Sequence, residues 1–129
     1  MRVELAAATF GQFLRQLRLA AGFGLRAFAE AVGMKPSNLC RLETGRLAPP
    51  QDPERIGKMA EVLGLKPQSP EFVRLNDLAA KARPGTAAPD VVDYAAKQPG
   101  VPLLLRTAKG KQLNEEEFRR LAAYIEEHF

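Results

Sequence analysis

The sequence predicts an all-α fold, with a five-helix N-terminal domain followed by a small helical C-terminal segment. Apolar residues recur at intervals of three and four in several separate stretches, which is the spacing of one face of an α-helix. Most of these stretches begin with a capping residue or a proline, and several end at a glycine. No stretch alternates apolar and polar residues convincingly, so we expect no β-sheet.

The first predicted helix begins at a capping residue, and each of the first two helices ends at a glycine. Thr9 is a favourable N-cap, Gln12 completes a capping box with it, and Gly22 ends the first helix. A second, short helix is expected over Leu25–Val32 and ends at Gly33. The apolar positions that we expect to face the core are Phe10, Phe13, Leu14, Leu17, Ala21, Leu25, Phe28, Ala29 and Val32.

Three further helices are each expected to begin at a proline. Proline is favoured at the first helical position because its missing N–H would have no partner there. The three starts are Pro36, Pro53 and Pro70, and the last two follow the N-caps Asp52 and Ser69. The residues expected to face the core are Leu39, Cys40, Leu42, Ile56, Met59, Ala60, Leu63, Phe72, Leu75, Ala79 and Ala82.

A linker is expected over Arg83–Pro89, because this segment contains proline and glycine and has few large side chains. We therefore divide the chain into an N-terminal domain, residues 1–83, and a C-terminal segment, residues 84–129.

The C-terminal segment is expected to contain two helices, the first of which ends at the break Gln98-Pro99-Gly100. The first is a short helix over Asp90–Lys97, and the second is a final helix that Asn114 caps. Between them the sequence predicts an apolar run, Val101–Leu105, and a glycine-containing basic loop, Thr107–Lys111.

The excess of positive charge lies wholly in the first half of the chain. Residues 1–66 hold 10 Lys or Arg against 6 Asp or Glu, whereas residues 67–129 hold 9 of each. This distribution suggests a polyanionic partner for the first half, nucleic acid before a membrane surface, although a solvated surface explains four extra charges equally well. No stretch is apolar for long enough to cross a bilayer, so we expect a cytoplasmic protein.

The residue inventory argues against catalysis. The single histidine, His128, is more typical of a helix end than of a general base, and the single cysteine, Cys40, excludes an intrachain disulfide. The sequence contains no cluster of metal ligands, no phosphate-binding glycine loop and no plausible pair of nucleophile and base. We therefore expect no enzymatic activity, no cofactor and no metal.

The second and third predicted helices have the spacing of a helix-turn-helix. Gly33, at the centre of the turn, permits a backbone conformation that a side chain would strain. Ala29, four residues earlier, lets the helices approach each other, and Leu39, six residues later, fills the angle between them. This arrangement would expose the third helix, which could then enter a DNA major groove about 12 Å wide.

Residues Phe10–Leu65 resemble the helix-turn-helix domain of the lambda-repressor and Cro type, also called the XRE family. The run Leu39-Cys40-Arg41-Leu42-Glu43-Thr44-Gly45 resembles the strongest local signature of the family, which usually has serine in place of Cys40. The other matching positions are Leu14, Arg18, Gly22, Ala29 and Gly33. The resemblance implies a five-helix, lambda-repressor-like domain that binds double-stranded DNA.

The resemblance also implies roles for individual residues. Arg18 and Glu43 would form a structural ion pair between the first and third helices. The base-reading positions would be Pro36, Ser37 and Arg41. The phosphate-contacting positions would be Lys35, Asn38, Thr44 and Arg46. Arg41 is the best base reader because its guanidinium can pair with both O6 and N7 of guanine, although it could also be a solvated surface arginine.

Two positions depart from the family pattern. Leu25 stands where relatives often have a glutamine that contacts a phosphate, and Pro36 replaces a polar base reader. We therefore expect few direct base contacts, with more of the recognition coming from DNA shape and phosphate contacts.

The final helix carries an apolar stripe that some other surface must cover. Its members are Phe118, Leu121, Ala122, Ile125 and Phe129. The stripe could pack on the fifth helix of the same chain, but we favour a homodimer, because repressors of this family reach half-sites about 34 Å apart as dimers. The basic residues between Lys97 and Asn114 could be a second phosphate-contacting patch, but a solvated loop is the favoured interpretation.

Two function classes remain open. The chain could be a dimeric transcriptional repressor, or an antitoxin or inhibitor-type partner of a co-encoded toxin or metallopeptidase that uses DNA binding for autoregulation. After the helix-turn-helix come the loop Arg46-Leu47-Ala48-Pro49-Pro50, a fifth helix, a proline break, the run Leu103-Leu104-Leu105-Arg106 and a final helix. This layout resembles that of regulators paired with ImmA/IrrE-type zinc metallopeptidases. In some such pairs the peptidase cleaves the repressor in its C-terminal region. We expect such a cut at the Leu105–Arg106 bond, beside the predicted basic loop. The neighbouring genes would discriminate between the two classes.

Overall fold

A computed structural model describes residues 9–83 and 87–129 of the chain. These ranges hold eight α-helices and no strand, so the all-α prediction is confirmed. The helices are α1 (Phe10–Ala20), α2 (Leu25–Ala31), α3 (Pro36–Glu43), α4 (Pro53–Val62), α5 (Pro70–Lys81), α6 (Pro89–Lys97), α7 (Gly100–Lys111) and α8 (Glu115–His128). None of these helices is both long enough and apolar enough to cross a membrane.

The chain divides into two compact units. The first unit ends at Val92, and the second comprises Asp93–Phe129. Of the expected linker Arg83–Pro89, residues 84–86 lie outside the described ranges, and Pro89 already belongs to α6. The functional division between residues 1–83 and 84–129 stays a prediction.

Capping residues identified in the sequence begin three helices of the first unit, α1, α4 and α5. The Thr9 hydroxyl accepts a hydrogen bond from the backbone N–H of Gln12 at 3.1 Å. The Asp52 carboxylate and the Ser69 hydroxyl do the same at the starts of α4 and α5, with donor–acceptor distances of 2.9 and 3.2 Å. These bonds satisfy backbone donors that have no partner within the first turn of a helix.

The core of the first unit lies where α1 packs on α3 and α5, with α2 on α3 and α4 on α5. Its buried members are Phe10, Phe13, Leu14, Leu17, Phe28, Ala29, Leu39, Leu42, Ile56, Met59, Leu75, Leu78 and Ala79. Leu78 was absent from the predicted set, although it lies on the same helix face as Leu75. Ala21 and Ala82 were wrongly placed in the core: each is the C-cap just beyond its helix, and each is exposed.

The predicted burial of Cys40 is wrong, because this side chain is exposed. Successive residues of an α-helix point about 100° apart. The inward side of α3 is occupied by Leu39, Leu42 and Glu43, all buried. Cys40 therefore points away from the core.

The predicted basic loop, Thr107–Lys111, is also wrong, because these residues form the second half of α7. Leucine, arginine, lysine and alanine favour the helix, and one glycine near its end costs only about 1 kcal/mol. The helix stops at Gln112, which adopts the left-handed conformation with φ of 51°. The Leu105–Arg106 bond consequently lies inside a helix rather than beside a loop.

Candidate nucleic-acid interface

The turn between α2 and α3 is built around Gly33. This residue has φ of +74°, a left-handed conformation that side chains rarely adopt. The chain then turns back on α2, and the N–H of Met34 donates to the carbonyl of Ala29 at 2.8 Å. Ala29 and Leu39 are both fully buried, as expected for residues that lie between two packed helices.

Helix α3 is buried along one side and exposed along the other. Its inward side is held by Leu39, Leu42 and Glu43. The opposite side is centred on Ser37 and Arg41, which are one helical turn apart and both exposed. The outward side of α3 is therefore free to meet a ligand.

Arg18 and Glu43 join the end of α1 to the end of α3. The Arg18 Nε and Nη2 atoms donate to the two carboxylate oxygens of Glu43 at 2.8 and 3.0 Å, and both side chains are more than nine-tenths buried. The Arg18 Nη1 atom donates to the carbonyl of Phe23 at 2.9 Å. The hydrogen bonds and charge of Glu43 raise the pKa of Arg18, although burial alone would lower it. The pair thus fixes α3 against α1.

Gly11, which the sequence analysis did not single out, lets the backbones of α1 and α3 touch. A Cβ atom at this position would collide with the carbonyl oxygen of Leu42 and would lie 2.9 Å from that of Glu43. No side chain other than hydrogen fits there without displacing α3. A glycine in the interior of a predicted helix was the signal that could have revealed this contact.

Basic side chains lie before, within and after α3. Lys35 is the N-cap position of the helix, Arg41 is in its last turn, and Arg46 lies three residues beyond its end; all three side chains are exposed. The N–H of Arg46 donates to the carbonyl of Arg41 at 2.7 Å, which holds Arg46 close to the helix end. Arg15, on α1, is exposed beside Cys40 in the cleft between α1 and α3 and was not predicted as a site residue.

The remaining residues predicted to contact DNA differ in the exposure and the hydrogen bonding of their side chains. Pro36 is exposed at the first position of α3, where it offers only an apolar ring. Asn38 is half-buried at the edge of the exposed side. The hydroxyl of Thr44 donates to the carbonyl of Cys40 at 2.9 Å, so its proton is directed at the helix end rather than outward.

The structure places the predicted dimerisation residues on one side of α8 and at its C-cap, and leaves four of the five exposed. Phe118 and Ile125 are each 45% exposed, and Phe129 is 94% exposed. Leu121 is half-buried and Ala122 is exposed. In the part of the chain that the structure describes, no group of three or more His, Cys, Asp or Glu is placed to hold a metal ion.

A family model described as a helix-turn-helix domain matches residues 9–71 of the chain. The matched span covers α1 to α4 and the start of α5, and so includes the whole surface around α3. Searches of the curated proteins and of the solved structures found no match to the chain. The chain thus has an N-terminal helix-turn-helix domain, a kind of domain typical of DNA-binding regulators.

Proposed function

We propose that this helix-turn-helix protein is a sequence-specific, double-stranded DNA-binding transcriptional regulator that acts as a dimeric repressor. The observation that supports this proposal best is the asymmetry of α3. The helix is anchored by buried residues along one side, while Ser37 and Arg41 stand exposed on the other. A rigidly held helix with one free polar side is suited to the major groove.

Base recognition would come from the exposed side of α3. Among the described residues Arg41 takes part in no ion pair, and the one glutamate of α3, Glu43, is bonded to Arg18. The guanidinium of Arg41 could therefore donate to O6 and N7 of a guanine. Ser37 could donate or accept one hydrogen bond, and the ring of Pro36 could contact a thymine methyl group.

Phosphate contacts would position α3 on the duplex. Lys35 and Arg46 lie at the two ends of α3, where their charges can reach the backbones on either side of a groove. Asn38 could contribute an amide donor from the edge of the helix. Thr44 would contribute only if its hydroxyl turned away from the carbonyl of Cys40. These contacts predict binding that weakens as salt concentration rises.

Dimerisation would place two copies of α3 on neighbouring half-sites. The exposed apolar residues of α8 supply a surface for this contact, and two-fold symmetry of the protein would be mirrored in an inverted repeat in the DNA. Residues 84–129 would then be the dimerisation segment, and residues 1–83 the DNA-binding domain.

The alternative function is that of an antitoxin or inhibitor-type partner of a co-encoded toxin or metallopeptidase. The same exposed apolar residues favour it, because they could bind a different protein as well as a second copy. The cut expected at Leu105–Arg106 is no longer favoured, because this bond lies within α7 and peptidases act on extended chains. Cleavage there would require local unfolding of α7.

The test is selection of bound fragments from the parent genome with the purified full chain. We expect enrichment of an inverted repeat with half-site centres about 10 base pairs apart, or a multiple of that spacing. Binding to the selected repeat should fall steeply as salt is raised. Recovery of random fragments with no shared sequence would contradict specific recognition. Co-purification of a neighbouring gene product, required for tight DNA binding, would favour the alternative.

A further inference from the structure

A groove in the first unit lies between the start of α1, the segment that follows α3 and the end of α5. Its volume is about 350 Å³. Three of the side chains that line it, Phe10, Leu42 and Leu78, are each 2% exposed and belong to the hydrophobic core. The groove therefore opens onto the core of the unit.

The other side chains that line the groove are mostly apolar as well, but solvent reaches them. Leu47, Ala48 and Pro49 contribute one part of the lining, and Leu47 is 38% exposed. Ala82, the C-cap of α5, contributes another part and is exposed. Apolar surface that is both concave and open to solvent is typical of a site that an apolar molecule covers.

The charge of the groove comes from Lys81, in the last turn of α5. This side chain is exposed, and among the described residues it takes part in no ion pair. The described residues that line the groove include no acidic one. Thr9, which also lines it, accepts a hydrogen bond from Gln12 and can still donate its own hydroxyl proton. An apolar interior is thus combined with a positive charge and a hydroxyl donor.

We propose that this groove binds a small apolar carboxylic acid. The hydrocarbon part of the ligand contacts Phe10, Leu42 and Leu47, and its carboxylate pairs with the ammonium group of Lys81. Small-molecule sites usually have volumes of about 300–1,000 Å³, so this groove suits a ligand with one short chain or one ring. The proposal does not depend on DNA binding.

The composition of the groove favours this ligand over other small molecules. An uncharged apolar molecule would leave the charge of Lys81 without a partner, and inorganic phosphate would leave the apolar lining exposed to water. An acid with a hydrocarbon body satisfies both parts of the lining. Neither Ser37 nor Arg41 lines the groove, so a bound acid leaves the exposed side of α3 free.

The experiment titrates the full chain, without DNA, with octanoate, octanol and acetate in an isothermal titration calorimeter. We expect saturable binding of one octanoate per chain and no binding of acetate, which lacks the hydrocarbon. Octanol should bind roughly fivefold more weakly than octanoate, because it cannot pair with an exposed lysine. Lys81→Gln should remove this difference by weakening the binding of octanoate alone. Ala48→Phe should fill the groove and abolish the binding of both molecules.

The matched control is Lys58→Gln, which removes an exposed lysine of α4 that does not line the groove. It should leave octanoate binding unchanged, and circular dichroism should show equal helix content in all variants. In methyl NMR spectra octanoate should shift the signals of Leu47 and Ala48, but not that of Leu103 in the second unit.

Four results would overturn the proposal. They are the absence of saturable octanoate binding, equal affinities of the unchanged chain and Lys81→Gln, binding that shifts Leu103 in place of Leu47, and binding that appears only after deletion of residues 2–8. The last result would show that another part of the chain fills the groove. Because all these measurements are made without DNA, they remain separate from the test of the proposed function.

Discussion

The carboxylate of Glu43 receives two hydrogen bonds from the guanidinium of Arg18, at 2.8 and 3.0 Å, in a site where both side chains are more than nine-tenths buried. Charges that are buried in this way depend on each other, since either one alone would be desolvated without compensation. The ion pair therefore fixes the orientation of α3 relative to α1. Loss of either residue would leave the other charge buried without a partner.

Replacement of Glu43 by alanine should destabilise the first unit by about 3 kcal/mol, because it leaves the Arg18 charge buried without a partner. Urea denaturation of the full chain, followed by circular dichroism, measures this loss. The matched control is Glu115→Ala, which removes an ion pair with Arg119 whose side chains are about four-fifths exposed. That change should cost less than about 1 kcal/mol. Equal effects from the two changes would contradict the structural role of the buried pair.

Replacement of Gly11 by alanine should weaken the protein, although alanine usually favours a helix by about 1 kcal/mol. The added methyl group would collide with the carbonyl oxygen of Leu42, so α1 and α3 must move apart at a cost of about 1–3 kcal/mol. Gly57→Ala in α4 is the control, since nothing lies within 4 Å of a Cβ there. The two variants should shift the midpoint of thermal unfolding in opposite directions. A stabilising effect at both positions would refute the close contact.

Replacement of Arg41 by alanine should weaken binding to the selected operator by about 1–3 kcal/mol, or roughly 5- to 150-fold, and weaken binding to random DNA far less. Arg46→Ala should instead weaken both to a similar extent and reduce the dependence on salt. Fluorescence anisotropy with the two duplexes at several salt concentrations distinguishes these patterns. Equal losses of affinity for both duplexes would indicate that Arg41 contacts a phosphate rather than a base.

Deletion of residues 113–129 should lower the oligomeric state in sedimentation, because it removes the whole of α8. The first unit should keep its thermal unfolding transition, since it ends at Val92. A truncated chain that stays dimeric would move the contact into the first unit or to α7.

Cys40 should react with a thiol reagent in the folded protein, because its side chain is exposed on α3. Cys40→Ser should change the free energy of unfolding by no more than about 0.5 kcal/mol, as expected for a surface position. If α3 enters the groove, alkylation of the thiol should block DNA binding, whereas the serine variant should bind normally. A thiol that reacts only after denaturation would indicate that Cys40 is buried in the folded protein, as the sequence predicts.

The sequence predicted the helices of the first unit closely because their boundaries are local. Thr9, Asp52 and Ser69 act through hydrogen bonds to residues two or three positions away, so their effect can be read without knowledge of the fold. The exposed side of α3 could be predicted for the same reason. Ser37 and Arg41 are one turn apart, on the side opposite to the apolar residues.

The predictions that failed depended on longer-range packing or on competing local signals. The exposure of Cys40 is decided by which side of α3 meets α1, and the need for glycine at position 11 by the backbone of α3, 31 residues further along the chain. In α7, the glycine and lysines of Thr107–Lys111 favoured a loop, but the preceding leucines and Ala108 propagate a helix through them. Periodicity alone does not show what covers the apolar stripe of α8.

The third hydrogen bond of Arg18, to the carbonyl of Phe23, extends the influence of one guanidinium to the segment that connects α1 with α2. Helix α1, helix α3 and the segment between α1 and α2 are therefore all held by Arg18. A change in the tilt of α3 would disturb all three together. Such a domain would present α3 to every duplex at the same angle. In the proposed dimer, tolerance for operators of unequal spacing would then have to come from the contact between the two copies, and not from within either helix-turn-helix domain.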